Sequence, residues 1–232
     1  MIPLRDILPR RRRPVVTVAL IAVNVVFFFY ELALGPALPQ FLMQAAFVPA
    51  RAFEGPISVG HLGGEGLSAL LSMFLHGGWL HLGGNMLYLW IFGDNIEDRL
   101  GHARFLLFYL LCGYAASFAH AFFNAGSMVP AIGASGAIAG VLGAYLLLHP
   151  GARIVSLIFL GFFFTTVEVP AIVFLPIWFL IQFFSGLASL GGPENAGGVA
   201  WFAYIGGFVA GPLLLFLLES ERRFRRPRLE IL

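Results

Sequence analysis

The 232-residue chain has no lysine, a single cysteine (Cys112) and few charges of any kind, only 11% Asp, Glu and Arg together. An ordinary soluble domain carries about 25% charged residues, so a conventional water-facing surface cannot be built from this composition. The lone cysteine excludes a disulfide-stapled secreted scaffold. A net charge of only +2 excludes a basic nucleic-acid binder, and no nucleic-acid partner is expected. Histidine is missing from every position after His149. What is abundant is apolar: 59% of the chain is hydrophobic, with 25 phenylalanines, which also excludes disorder. The composition fits a polytopic membrane protein whose partners are membrane lipids.

A helical span needs about 20 apolar residues, and six apolar segments are read as spans, the second of them short: Val15–Leu34, Trp79–Phe92, Phe105–Asn124, Ile132–His149, Pro170–Leu190 and Val199–Leu218. The expected class is an all-α, six-span bundle over residues 15–218, with basic tails at 1–14 and 219–232. A long first loop, Pro36–Gly78, mixes Gly, Pro and short apolar runs. One apolar run, Arg153–Phe164, is too short for a span and reads as a re-entrant or interfacial piece. Its Phe162–Phe164 reads as lipid-facing or core.

All 14 cations are arginine, five in the N-terminal tail (Arg5 and Arg10 to Arg13) and five after residue 221. Short membrane loops keep their cations in the cytoplasm. Six spans then place 13 arginines inside and only Arg51 outside. The expectation is a bacterial or archaeal plasma membrane with both termini cytoplasmic.

Polar residues inside spans are costly and mark functional sites by default. Spans two, four and six run in the same direction, so His81 and Asn85, Ser135, and Tyr204 fall at similar depth near the extracytoplasmic side. Gly136/Gly140 and Gly207/Gly211 form small-xxx-small ridges that let two helix backbones approach closely. Tyr204 lies on the Gly207/Gly211 face, so contact of these two spans brings it to Ser135.

His76-Gly-Gly-Trp-Leu-His81-Leu-Gly-Gly-Asn85 resembles the HxxxxHxxxN signature of rhomboid intramembrane serine proteases, and Gly133-Ala-Ser135-Gly136 resembles their GxSG nucleophile motif. The resemblance covers roughly residues 68–211. It implies that Ser135 is the nucleophile, that His81 and Asn85 are oxyanion-hole donors, and that His76 is structural at the start of span two. It also implies a membrane-embedded first loop and single-span transmembrane proteins as substrates or clients. No cofactor is implied.

The chain departs from the family at one position. The resemblance places a general-base histidine in span six, within Ala-His-x-Gly-x-x-x-Gly; here Ala203-Tyr204-Ile205-Gly206 keeps the frame with tyrosine in that place. A phenol with a reference pKa near 10 is ionised about one part in a thousand at pH 7, so the Ser–His dyad is incomplete. Three readings follow: a rhomboid protease impaired by the tyrosine, a pseudoprotease that binds transmembrane helices without cutting, and a channel or transporter. The scarcity of charge in the spans and the absence of an inverted repeat weigh against the last. His61, His102, His120 and His149 have no companions at metal-ligand spacing, so no metal is expected.

Overall fold

The structure is a computed structural model that describes residues 1–9, 11–53, 64–160, 163–189 and 200–219. His61, Arg10 and the C-terminal arginines lie outside the described residues. In chain order the elements are β1 (Ile2–Asp6), α1 (Val15–Leu34), α2 (Leu38–Ala45), α3 (Glu65–Ser72), α4 (Trp79–Leu100), α5 (His102–Phe123) and α6 (Ser135–Leu148). They continue with β2 (Arg153–Leu160), β3 (Phe163–Pro170), α7 (Ala171–Ser189) and α8 (Trp201–Leu218).

Helix dominates, and among the described residues three stretches are long and apolar enough to cross a membrane: Val15–Ala45, His102–Phe123 and Trp201–Leu218. Ser135–Leu148 and Ala171–Phe184 are shorter apolar helices. The expected second span, Trp79–Phe92, is the first part of a longer helix, since α4 continues through the charged turn to Leu100. Within the expected first loop, α2 and α3 are helical.

The all-helical expectation is corrected by a three-stranded antiparallel sheet of order β1-β2-β3. Residues of the presumed N-terminal tail pair with β2, Ile2 opposite Leu157 and Asp6 opposite Ile154. The run read as re-entrant or interfacial is β2 with the start of β3, paired from Arg153–Pro170 out to Leu160–Phe163. The physical reason lies in composition. Residues 153–170 are rich in β-branched and aromatic side chains, which favour a strand, and Pro170 closes the last one.

Buried polar contacts fix how the pieces meet. Pro14 precedes α1 and offers no side-chain cap. Instead the Glu97 carboxylate of α4 accepts the Val16 and Thr17 N–H groups at 2.8 and 2.7 Å and the Thr17 hydroxyl at 2.7 Å. An anion thereby satisfies orphan donors at the positive end of a helix. Asp6 of β1 accepts from Asn95 Nδ2 and from the Tyr145 hydroxyl, each at 2.8 Å, which ties the sheet to α4 and α6. Arg99 forms an ion pair with Glu219 and joins the ends of α4 and α8.

The apolar core runs between α4, α5 and α6, with Phe92, Phe105, Phe108, Tyr109, Leu142 and Tyr145 fully buried. α6 and α8 meet backbone to backbone. A Cβ at Gly207 or Gly211 would strike the carbonyl of Gly136 or Gly140, so these positions admit only glycine at this helix separation.

Candidate functional site

Ser135 is the first residue of α6, preceded by Ala134 as N-cap. It is not one turn inside the helix, as the apolar run alone suggests, because Gly133 takes φ 121° and keeps residues 132–134 out of the helix. The first-turn N–H groups of α6 therefore have no acceptor within the helix, and they point to the side where Ser135 sits. The approach to Ser135 is pinned from two sides. Gly133 N–H donates to the Ser72 carbonyl at 2.8 Å, and Ala131 N–H to the Phe47 carbonyl at 2.8 Å. Phe47 N–H in turn donates to Ser72 Oγ at 2.6 Å.

His81 and Asn85 stand one turn apart near the start of α4. Gly77 N–H donates to His81 Nδ1 at 3.3 Å, so in the neutral ring Nδ1 is the acceptor and Nε2 carries the proton. Nε2 faces Gly133: a Cβ built there would lie 2.6 Å from Nε2 and 3.5 Å from Ser135 Oγ. Gly133 is thus required twice, by its positive φ and by the imidazole against it. Asn85 is buried and its Nδ2 has no hydrogen-bond partner within the protein. A buried, unpaired donor is expensive, and Asn85 is among the residues that border a cleft.

That cleft has a volume of about 180 Å³, and Ser135, His81, Asn85 and Tyr204 all line it. Tyr204, one turn into α8, borders the same cleft as Ser135. Trp178 and Trp201 flank its ring at centroid distances of 6.1 and 5.7 Å. The four residues read from the sequence as the reacting group come together here. Trp178 and Gln182 of α7 also line the cleft; no motif announces them, and only their place on the apolar helix before α8 could have. A second, smaller cavity of about 30 Å³ lies on the other side of Ser135, bordered by Ser72, Ser117, His120 and Gly133. It has room for about one water molecule.

His76 stands just outside α4 and does not border the cleft. Its N–H donates to the Glu31 carboxylate, with oxygen distances of 3.2 and 3.1 Å, and its Nδ1 lies 3.3 Å from the Phe74 carbonyl. The ring packs edge-on to His81 at 5.1 Å. Burial, reinforced by neighbouring His81, pushes the His76 imidazole down to about 4. Gly136, Gly207 and Gly211 form the α6–α8 contact that sets the Ser135–Tyr204 spacing. Among the described residues, no three His, Cys, Asp or Glu are grouped to hold a metal ion.

With this geometry in place, comparison with known proteins decides the family. The Rhomboid domain matches residues 63–221. The chain belongs to the rhomboid family. It is 36% identical over 156 residues to RHOMBOID-like protein 4 of Arabidopsis thaliana, covering 67% of this chain and 35% of that protein. It is 36% identical over 97 residues to the mitochondrial Rhomboid protein 1 of Saccharomyces cerevisiae, covering 40% and 28%. With Rhomboid protease GluP of Bacillus subtilis it shares 46% identity over 83 residues, covering 36% and 16%. The chain therefore spans 35% or less of the length of these three rhomboid relatives.

The expected bacterial or archaeal plasma membrane is corrected by these relatives. The yeast protein is mitochondrial by name, as are RHOMBOID-like protein 6 of Arabidopsis thaliana and the presenilin-associated rhomboid-like protein of Bos taurus. With relatives named for mitochondria, a bacterial or archaeal plasma membrane is not what the comparisons support. Charge asymmetry reports which side of a membrane a loop occupies, and carries no information about which membrane it is.

Proposed function

We propose that this rhomboid is an intramembrane serine endopeptidase by descent whose turnover is blocked or strongly impaired at Tyr204. Its six spans are taken to be α1, α4, α5, α6, α7 and α8, with the α2–α3 region as the membrane-embedded first loop. The observation that carries the reading is the meeting of Ser135, His81, Asn85 and Tyr204 in one cleft.

In the reaction this site is built for, Ser135 Oγ attacks the scissile carbonyl of a transmembrane segment. The resulting oxyanion is met by His81 Nε2–H, Asn85 Nδ2–H and the Ser135 backbone N–H. Such donors contribute most when fixed before charge develops, and the Gly77–His81 bond and the unpaired Asn85 amide fit that requirement. The missing element is the group that removes the serine proton. The Tyr204 phenol stands in the cleft with Ser135, yet at neutral pH a phenol is almost entirely protonated. In soluble serine proteases, loss of a member of the catalytic group costs about 10⁴- to 10⁶-fold in turnover, and a comparable loss is expected here.

The test is restoration. Tyr204→His returns a base with a reference pKa near 6.5, and imidazole is smaller than phenol, so the cleft accepts it. The chain as it stands should leave a single-span substrate, with helix-destabilising residues near its outer end, essentially uncut in liposomes. It should also label very slowly with a fluorophosphonate probe. The Tyr204→His protein should do both readily, and Ser135→Ala should abolish both. Ser135-dependent cleavage at a normal rate by the unaltered chain would show that tyrosine serves as the base. Binding of such segments with no cleavage by either form would instead favour a pseudoprotease that holds transmembrane helices.

A further inference from the structure

Between Arg153 and Glu168 the chain carries no charged residue, and Phe159, Phe162, Phe163 and Phe164 crowd its middle. Folded as the β2–β3 hairpin, this run is buried at one end only. At the base, Ile154 and Ser156 are fully buried, and Arg153 Nη1 pairs with Glu168 Oε2 at 3.0 Å. Toward the tip, Phe159, Phe163 and Phe164 are 58%, 79% and 73% exposed. Phe163 and Phe164 are neighbours on a strand, so their side chains leave opposite faces of the sheet. A docked sheet, helix or strand covers one face or one edge. A surrounding apolar medium covers both faces at once.

Three features say what that medium is. First, β2 leaves the C-terminal end of α6, whose 14 residues span about 21 Å, so the sheet lies at the end of the bundle remote from Ser135. Second, β3 passes directly into α7, where Ile172, Val173 and Ile177 are exposed. The apolar tip therefore continues the outward surface of an apolar helix. Third, arginines gather at this end of the bundle among acidic neighbours: Arg11 to Arg13 follow β1, Arg12 reaches the α4–α5 junction at Gly101, Arg104 stands beside it, and Arg99 pairs with Glu219. Aromatic side chains next to arginines are the chemistry of a lipid headgroup interface.

We propose that the β2–β3 hairpin is a lipid-interface anchor. Phe159, Phe163 and Phe164 enter the headgroup–acyl boundary of the leaflet on the arginine-rich side, opposite the Ser135 cleft. The depth is limited by the backbone. The outer edge of β3 has no strand partner among the described residues, and unpaired N–H and C=O groups cannot enter hydrocarbon without large cost. The tip side chains insert while the strands stay at headgroup level, with Thr165, Thr166 and Glu168 in the polar layer.

Nitroxide accessibility in reconstituted vesicles tests this. The full chain carries Phe159→Cys, Phe163→Cys, Phe164→Cys or Glu168→Cys, is spin-labelled, and sits in phosphatidylcholine with a minor fraction of phosphatidylglycerol. Buried Cys112 gives the labelling background in the unaltered chain. Labels at 159, 163 and 164 should collide several-fold more with oxygen than with a water-soluble nickel chelate, and the label at 168 should show the reverse. Nickel access at 163 and 164 equal to that at 168 would overturn the anchor. So would spin–spin broadening at the tip that vanishes on dilution with unlabelled protein, since a second copy would then be the occupant. Three tip positions keep the result independent of any one substitution that disturbs the hairpin.

Discussion

His76 shows how a residue can serve the site without touching its cleft. Its buried ring is held between the Phe74 carbonyl and His81, and its N–H is anchored on Glu31. Burial keeps the imidazole neutral, down to about 4 from an ordinary 6.5. A group whose folded value lies below its unfolded value makes the unfolded state the better proton binder between those two values. Stability is therefore complete above pH 6.5 and is lost as the pH falls toward 4, by up to about 3 kcal/mol for this one group. Unfolding of the detergent-solubilised protein followed across that range should show this slope. His76→Asn keeps a donor for the Phe74 carbonyl but cannot take up the proton, so its slope should be shallower. Equal slopes would assign the acid sensitivity to other groups.

At the scale of elements, glycine means opposite things in different helices. At Gly211 a Cβ meets the Gly140 backbone of the facing helix, whereas at Gly83 on α4 a Cβ meets nothing within 4 Å. Gly211→Ala should destabilise by about 1–3 kcal/mol through overpacking. Gly83→Ala should stabilise by about 0.5–1 kcal/mol, because only the entropic cost of helical glycine is removed. Thermal midpoints of the two variants should shift in opposite directions; a shared direction would mean that the α6–α8 contact relaxes freely.

The same elements show what was legible beforehand. Apolar runs located α1, α5, α7 and α8 to within a few residues, and the His81–Asn85 and Gly133–Ser135 spacings located the residues that share the cleft. The sheet was hidden because β1 and β2 pair across some 150 positions, and a short apolar run does not by itself distinguish strand from membrane segment. The start of α6 was hidden because Ile132–Ala134 is as apolar as the helix, and only the backbone angle at Gly133 separates them. Trp178 and Gln182 reach the cleft through packing of α7, which no local pattern encodes.

For the whole molecule, the contacts at the basic end constrain how the bundle sits in a membrane. Asp6 near the N-terminus bonds Asn95 on α4, and one turn further along α4, Arg99 pairs with Glu219 just after α8. Both ends of the described chain thus gather at one end of the bundle, the end remote from Ser135. If α1 and α4 through α8 are the spans, their number is even and the termini share one side of the membrane, as the concentration of arginine in both tails also requires. Reporter tags fused at the two termini should be accessible from the same side. A cysteine introduced between α1 and α2, at Ala37, should be reached by an impermeant reagent only from the other side, where the cleft opens. Termini on opposite sides would mean an odd number of crossings. One of the two shorter apolar helices, α6 or α7, would then fail to span, and the depth shared by Ser135, His81 and Tyr204 would need a different explanation.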